Sequence, residues 1–168
     1  TATCYDSEKE LVALLESFQP QLVGLRCLSL FQTQFKYLAK VIRAKMPSVF
    51  LIGGGPYPSS SYLEIVGSYV DLAVIGEGEK TFVELIGSLN ETKTLPTDLV
   101  GTAALVNGEI KKNESRPVLE NIDELPAPNY DLINVRDYEG IYNLANLGTD
   151  KSAFMESSRG CTYKCYYC

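Results

Sequence analysis

At 168 residues, 45% apolar and 21% charged, the chain is long enough for one ordinary domain and a tail. No run approaches the roughly 20 apolar residues of a membrane-spanning helix, and a net charge of −6 without a basic stripe argues against nucleic-acid binding. The absence of any histidine removes imidazole from every catalytic or metal-ligating role in this segment.

The start, Thr1-Ala2-Thr3-Cys4, has no basic region followed by an apolar stretch, so no signal peptide is read there. It also lacks an initiator Met, so Thr1 need not be the natural start. Five cysteines, three of them in the last eight residues, point to metal ligation in a reducing compartment. A cytoplasmic location is the expectation.

Ser7-Glu8-Lys9-Glu10 reads as a capping box, with a hydroxyl at the N-cap and a carboxylate three residues on. Leu11, Leu14, Leu15 and Phe18 follow at helical spacing, and Pro20 closes the helix. Leu22 to Leu25 is a short apolar run, read as a buried strand. A second helix is predicted from about Phe31 to Met46, with Phe35, Leu38, Ala39 and Ile42 on one face. Val49 to Ile52 is the next buried strand, broken at Gly53-Gly54-Gly55-Pro56.

A helix is expected around Ser59 to Gly67, a strand over Val70 to Ile75, and a glycine break at Gly76-Glu77-Gly78-Glu79. Thr81 to Leu89 is a helix with Phe82, Leu85 and Ile86 on its apolar side. Then the period changes to two. Thr102–Val106 and Glu109–Lys112 flank Asn107-Gly108, the strongest short hairpin signal.

Alternating helices and continuous apolar strands predict an α/β fold. It is a Rossmann-like or flavodoxin-like parallel sheet with helices on both faces, plus a hairpin. Ligands in such sheets sit beyond the carboxyl ends of the strands, where both glycine breaks fall. Glycines there permit close backbone approach to a ligand, or simply make tight turns. Glu77 and Glu79 have a competing role at a helix N-terminus. The expected organisation is an α/β domain over 1–113, an extended connector over 114–150, and the start of a further domain over 151–168. The connector holds Pro117, Pro126 and Pro128 and is expected to dock through Leu125, Tyr130, Leu132 and Ile133. Ser152 to Ser157 reads as one more strand feeding Arg159-Gly160.

The chain ends on Cys161-Thr162-Tyr163-Lys164-Cys165-Tyr166-Tyr167-Cys168, a C-x3-C-x2-C spacing on a glycine-led loop. Three close thiolates suit three corners of a 4Fe–4S cube and leave the fourth iron open. A structural zinc knuckle competes, but zinc motifs pair C-x2-C units or add His. A two-cluster ferredoxin run carries four cysteines. The motif resembles the radical S-adenosylmethionine signature, and Tyr167 fits the aromatic residue usual before the third cysteine. The resemblance implies that the open iron chelates the methionine moiety of S-adenosylmethionine. It further implies that an electron from the reduced cluster releases a 5′-deoxyadenosyl radical.

The upstream pieces resemble, in order, the cobalamin-binding domain of B12-dependent radical S-adenosylmethionine proteins. They are Leu22 to Leu25, Leu51 to Pro58, and Asp71 to Phe82; Leu125 to Pro128 and Tyr130 to Leu132 resemble the stretch leading to the radical barrel. One branch of that family resembles the anaerobic magnesium-protoporphyrin monomethyl ester cyclase; others are methyltransferases. The resemblance implies cobalamin contacts at Leu28, Gly53, Gly54, Gly55, Gly76, Glu77 and Gly78, and cluster ligands at Cys161, Cys165 and Cys168. It also implies a barrel beyond Cys168, a small-molecule substrate and a flavodoxin- or ferredoxin-type reductant.

Two departures stand against the pattern. A first strand–helix unit is not recognised, so the chain reads as an N-terminal portion cut at both ends, inactive alone. Arg26 stands where base-off cobalamin proteins carry Ser, and the axial His is lacking. A docking module that never holds cobalamin is the competing reading. A methylthiotransferase would need three further cysteines, where only Cys4 and Cys27 remain.

Overall fold

The computed structural model describes residues 8–129, 158–160, 163, 165 and 166. Two compact units divide the chain: one over Tyr5–Leu119, the other over Thr1–Cys4 with Glu120–Cys168. In the first, the order is α1 (Glu8–Phe18), β1 (Leu22–Arg26), a 3-10 turn (Ser29–Phe31), α2 (Gln32–Lys45), β2 (Phe50–Gly54), α3 (Pro56–Ile65), β3 (Leu72–Val74), α4 (Glu79–Thr92), β4 (Thr102–Val106) and β5 (Glu109–Lys112). The described part of the second unit holds a 3-10 turn at Ile122–Glu124, opened by Asn121, whose side chain accepts from the Asp123 amide at 3.1 Å. Ser7, the expected cap, and the strand expected over Ser152 to Ser157 lie outside the described residues.

The five strands form one sheet in the order β1-β2-β3-β4-β5. β1, β2 and β3 are parallel, as the helical crossovers require. The hairpin extends the sheet: β4 pairs antiparallel with β3, and β5 with β4. Asn107 (φ 52°) and Gly108 (φ 86°) both take positive φ, which a two-residue turn matching the strand twist demands.

Side-chain alternation along the strands sorts two cores. Val23, Leu25, Leu51, Ala73 and Ala103 face α1, α2 and α3 through Leu11, Leu15, Phe35, Ile42 and Ile65. Leu22, Ile52, Leu72, Val74 and Ala104 face α4 through Leu85 and Ile86. The sheet is therefore covered on both faces, with three helices on one side and α4 on the other.

Three local expectations are corrected. β1 is not buried throughout: Gly24 and Arg26 are exposed, and among the described residues it pairs on one side only. Gly53 and Gly54 do not break β2; they are its last residues, paired with Leu25 and Arg26. The turn is made by Gly55 (φ 94°), and α3 begins at Pro56, not Ser59. Proline suits that first helical turn, where its missing N–H is no loss.

A polar clamp ties α2 to the amino ends of β2 and β3. Arg43 donates to both Asp71 oxygens, at 2.8 and 2.7 Å, and to the carbonyls of Pro47 and Val49 at 3.0 and 2.8 Å. Asp71 Oδ2 also accepts the Leu51 amide at 2.7 Å. Replacing Asp71 with alanine leaves that amide and the guanidinium short of an acceptor. It is expected to lower stability by about 1–3 kcal/mol in urea unfolding, with Asp71→Asn losing less because its amide oxygen still accepts from Leu51.

Candidate functional site

The carboxyl ends of β1, β2 and β3 share one edge of the sheet. Three turns meet there: Cys27 to Phe31, Gly55-Pro56 and Ile75 to Gly78. They are laced by backbone bonds. The Cys27 amide donates to Gly54 at 2.9 Å, and the Tyr57 amide to Cys27 at 3.1 Å. The Gly76 amide donates to Ser59 Oγ at 3.0 Å, which ties the third turn to the first turn of α3.

The expected glycines do different things. A Cβ on Gly53 would lie 3.3 Å from Phe35 Cζ and 3.4 Å from Pro58 Cβ, so this glycine serves helix-on-sheet packing. At Gly55 a Cβ would stand 3.0 Å from the Cys27 carbonyl oxygen, and the backbone is left-handed besides. Gly54 and Gly76 are different. Nothing lies within 4 Å of a Cβ at either position. Gly54 lies on the α4 side of the sheet, in register with Arg26 and beside the equally bare Gly24, which pairs with Ile52. Gly78 touches only Val74 Cγ1, at 3.5 Å.

Along the first turn runs an apolar rim. Leu28, Leu30 and Phe31 are 42%, 85% and 51% exposed. Together with the bare glycines they make a shelf of backbone and hydrocarbon at the sheet edge. The sequence pattern starts the second helix at about Phe31; in the structure Phe31 ends the 3-10 turn with Leu30, and α2 begins at Gln32. Backbone without side chains and exposed apolar groups at one edge are what close approach by a ligand with an apolar body requires.

Cys27 does not contribute reactive sulfur. It is buried, its Sγ sits 3.0 Å from the Leu28 carbonyl, and burial raises its pKa despite nearby Arg26. Tyr57 is buried too. Its phenol donates to Glu64 at 3.0 Å and its ring packs edge-on against Phe35 with centroids 5.7 Å apart. Burial first, then Lys36 and Glu64, set its pKa, with a net upward shift. It is a packing residue with a tethered hydroxyl.

Glu77, expected among the ligand contacts, has its Oε2 2.8 Å from the Leu119 amide. Of the three cysteines expected to hold a cluster, Cys165 is an exposed free thiol; Cys161 and Cys168 lie outside the described residues. Among the described residues no group of three or more His, Cys, Asp or Glu is placed to hold a metal ion. No helix among them is long and apolar enough to cross a membrane. A cavity of about 630 Å³ lies at the opposite, amino edge, lined by Gln19, Lys45, Phe50, Leu89 and Lys93 among others. It gathers no catalytic constellation, and the carboxyl edge is where open α/β sheets take ligands.

Comparison with known proteins agrees with this geometry. The B12 binding domain family matches residues 2–86. An uncharacterized methyltransferase of Pyrococcus horikoshii is 29% identical over 163 residues, covering 95% of this chain and 33% of the relative. The anaerobic magnesium-protoporphyrin IX monomethyl ester cyclase of Synechocystis sp. is 25% identical over 133 residues, 78% of this chain and 25% of the relative. The solved structure of the cobalamin-dependent S-adenosylmethionine radical enzyme OxsB with aqua-cobalamin bound superposes with a TM-score of 0.58 at 22% identity, over 66% of this chain and 16% of that one. The chain thus spans a third or less of the length of these proteins. Expected fold and matched family coincide: the chain belongs to the B12 binding domain family.

Proposed function

We propose that this chain forms the cobalamin platform of a radical S-adenosylmethionine enzyme. The observation that carries the reading is the shelf: Gly54 and Gly76 stand bare at the carboxyl edge of the parallel strands, beside the apolar rim of Leu28, Leu30 and Phe31. Gly54 and Gly24 offer side-chain-free backbone on the α4 face, with nothing within 4 Å of a Cβ at either position. Leu28 and Phe31 supply apolar contact to the ligand's body. Gly55 and Gly53 fix the shelf from beneath. When bound, cobalamin supplies a cobalt centre that carries a methyl group or tunes a radical step. With no histidine in the chain, none of its residues is an imidazole ligand to that cobalt.

On this reading Cys161, Cys165 and Cys168 hold a 4Fe–4S cluster that cleaves S-adenosylmethionine, an electron arriving from a flavodoxin- or ferredoxin-type donor in the cytoplasm. The substrate is a small molecule met in a barrel that follows the cysteines. The reaction class is methyl transfer or radical cyclisation, in line with the names of the relatives. The chain alone carries no turnover.

Titration with hydroxocobalamin tests the platform. The expected result is a saturable shift of the corrin absorption spectrum. An unchanged spectrum would favour the second reading, a docking module without cobalamin. That reading draws on Arg26, whose side chain borders the Gly54-Gly55 stretch: its Cγ stands 3.1 Å from where a Gly55 Cβ would be.

A further inference from the structure

The register places the end of the hairpin at the site. β4 begins opposite the end of β3, with Thr102 against Val74, and β5 ends beside it, with Lys112 against Ala103. The chain therefore leaves the sheet at the edge where the shelf lies. From there it does not swing free. The Asn113 amide donates to Thr102 at 2.9 Å, and the buried Asn113 side chain donates to the Thr97 carbonyl and Thr102 Oγ1 at 2.9 and 3.0 Å. The Gly101 amide donates to Glu114 at 2.7 Å, while the Gly101 carbonyl accepts from Ile75 at 2.8 Å.

Arg116 comes next. Its Nε donates to Oγ1 of Thr81, a fully buried hydroxyl on the first turn of α4, at 2.9 Å, and its Nη2 pairs with Glu84. Pro117 keeps Arg116 out of helical backbone and the segment extended. Two residues on, the Leu119 amide reaches Glu77 Oε2 at 2.8 Å. The path has no slack at Gly101, where a Cβ would stand 2.7 Å from Thr81 Oγ1 and 3.4 Å from Arg116 Cβ.

We infer that residues 113–119 form a strap across the start of α4, and that Glu77 is a positioning residue whose carboxylate, by holding Leu119, fixes the Gly76–Gly78 turn at the rim of the shelf. Its partner is the strap and not the ligand. A carboxylate accepting a backbone N–H makes a strong restraint, because the acceptor is charged. The turn is then held from two sides, by Ser59 on the Gly76 amide and by the strap on Glu77. The segment that leads toward the cysteine loop and the turn that borders the shelf move together or not at all. The link between strap and ligand rests on the cobalamin reading above; the strap itself does not.

The test uses Glu77→Ala, Glu77→Gln and Leu119→Pro in the intact protein, with two readouts. Amide hydrogen exchange reads the Gly76–Gly78 turn without ligand, and hydroxocobalamin titration reads the shelf. Glu77→Ala and Leu119→Pro are expected to speed exchange of the turn amides about tenfold and to weaken hydroxocobalamin binding to a similar degree. Glu77→Gln is expected to fall between wild type and Glu77→Ala in both, since its amide oxygen still accepts the Leu119 N–H but without the charge. Arg116→Ala, which releases the strap from α4, guards against misfolding of the proline variant and is expected to speed turn exchange too. Turn exchange unchanged in Leu119→Pro and Arg116→Ala would overturn the strap. So would weaker binding in Glu77→Ala alone, since Glu77 would then meet the ligand itself. If wild-type protein takes up no hydroxocobalamin, the proposed function falls while the exchange rates still decide the strap.

Discussion

Alanine in place of Cys165 is expected to abolish iron and sulfide uptake by the parent protein reconstituted without oxygen, and with it all cleavage of S-adenosylmethionine. The magnitude follows from valency. Three thiolates hold three corners of a cube and leave one iron for the substrate; two thiolates leave half of it unheld, and thiolates are the normal protein ligands of such clusters. Cys165 has what a ligand needs before assembly: it is an exposed free thiol. Cys27 cannot substitute for it, because burial keeps that thiol protonated and its sulfur faces the Leu28 carbonyl within the domain. Iron analysis, sulfide analysis and detection of 5′-deoxyadenosine read the outcome. Retained iron in Cys165→Ala, or zinc in the wild type, would remove the radical chemistry from the proposal and leave the B12-type domain standing alone.

Much of the fold was written in local patterns. Helical spacing marked α1, α2 and α4, and Asn107-Gly108 marked the hairpin because both residues had to take positive φ. What failed was the reading of glycine. A Gly-Gly-Gly-Pro run looks like a break by propensity, yet β2 continues through Gly53 and Gly54 because β1 supplies ladder partners at Leu25 and Arg26. Tertiary packing also gives Gly53 its reason, the Phe35 ring, which no window around residue 53 contains. The strap was illegible for the same cause. Glu77 and Leu119 are 42 residues apart, and nothing in the composition of either segment announces the bond. Residues 114–119 look like the start of a connector by sequence, since they show no clear periodicity and include Pro117; in the structure Arg116 is tied to α4 and Leu119 to the turn before it. Short-range periodicity carries elements well, whereas the site depends on which loops the sheet brings to one edge.

Two neighbouring glycines separate ligand contact from packing. Gly54→Leu is expected to fold with little loss, because open space surrounds the new side chain, and to weaken hydroxocobalamin binding by about tenfold or more, equivalent to about 1.4 kcal/mol. Gly53→Leu is expected to do the reverse. Its added atoms enter a packed core between Phe35, Pro58 and Ile65, and overpacking there costs about 1–3 kcal/mol or more of stability. What affinity it loses follows from unfolding and recovers as the temperature is lowered. The contrast arises from strand alternation alone: residues next to each other in β2 point to opposite faces, one toward α2 and α3, the other toward the α4 side. Urea unfolding and hydroxocobalamin titration on both variants complete the comparison. If Gly54→Leu binds as the wild type does, the α4-side strip is not part of the cobalamin seat, and any corrin contact must come from the rim of Leu28, Leu30 and Phe31.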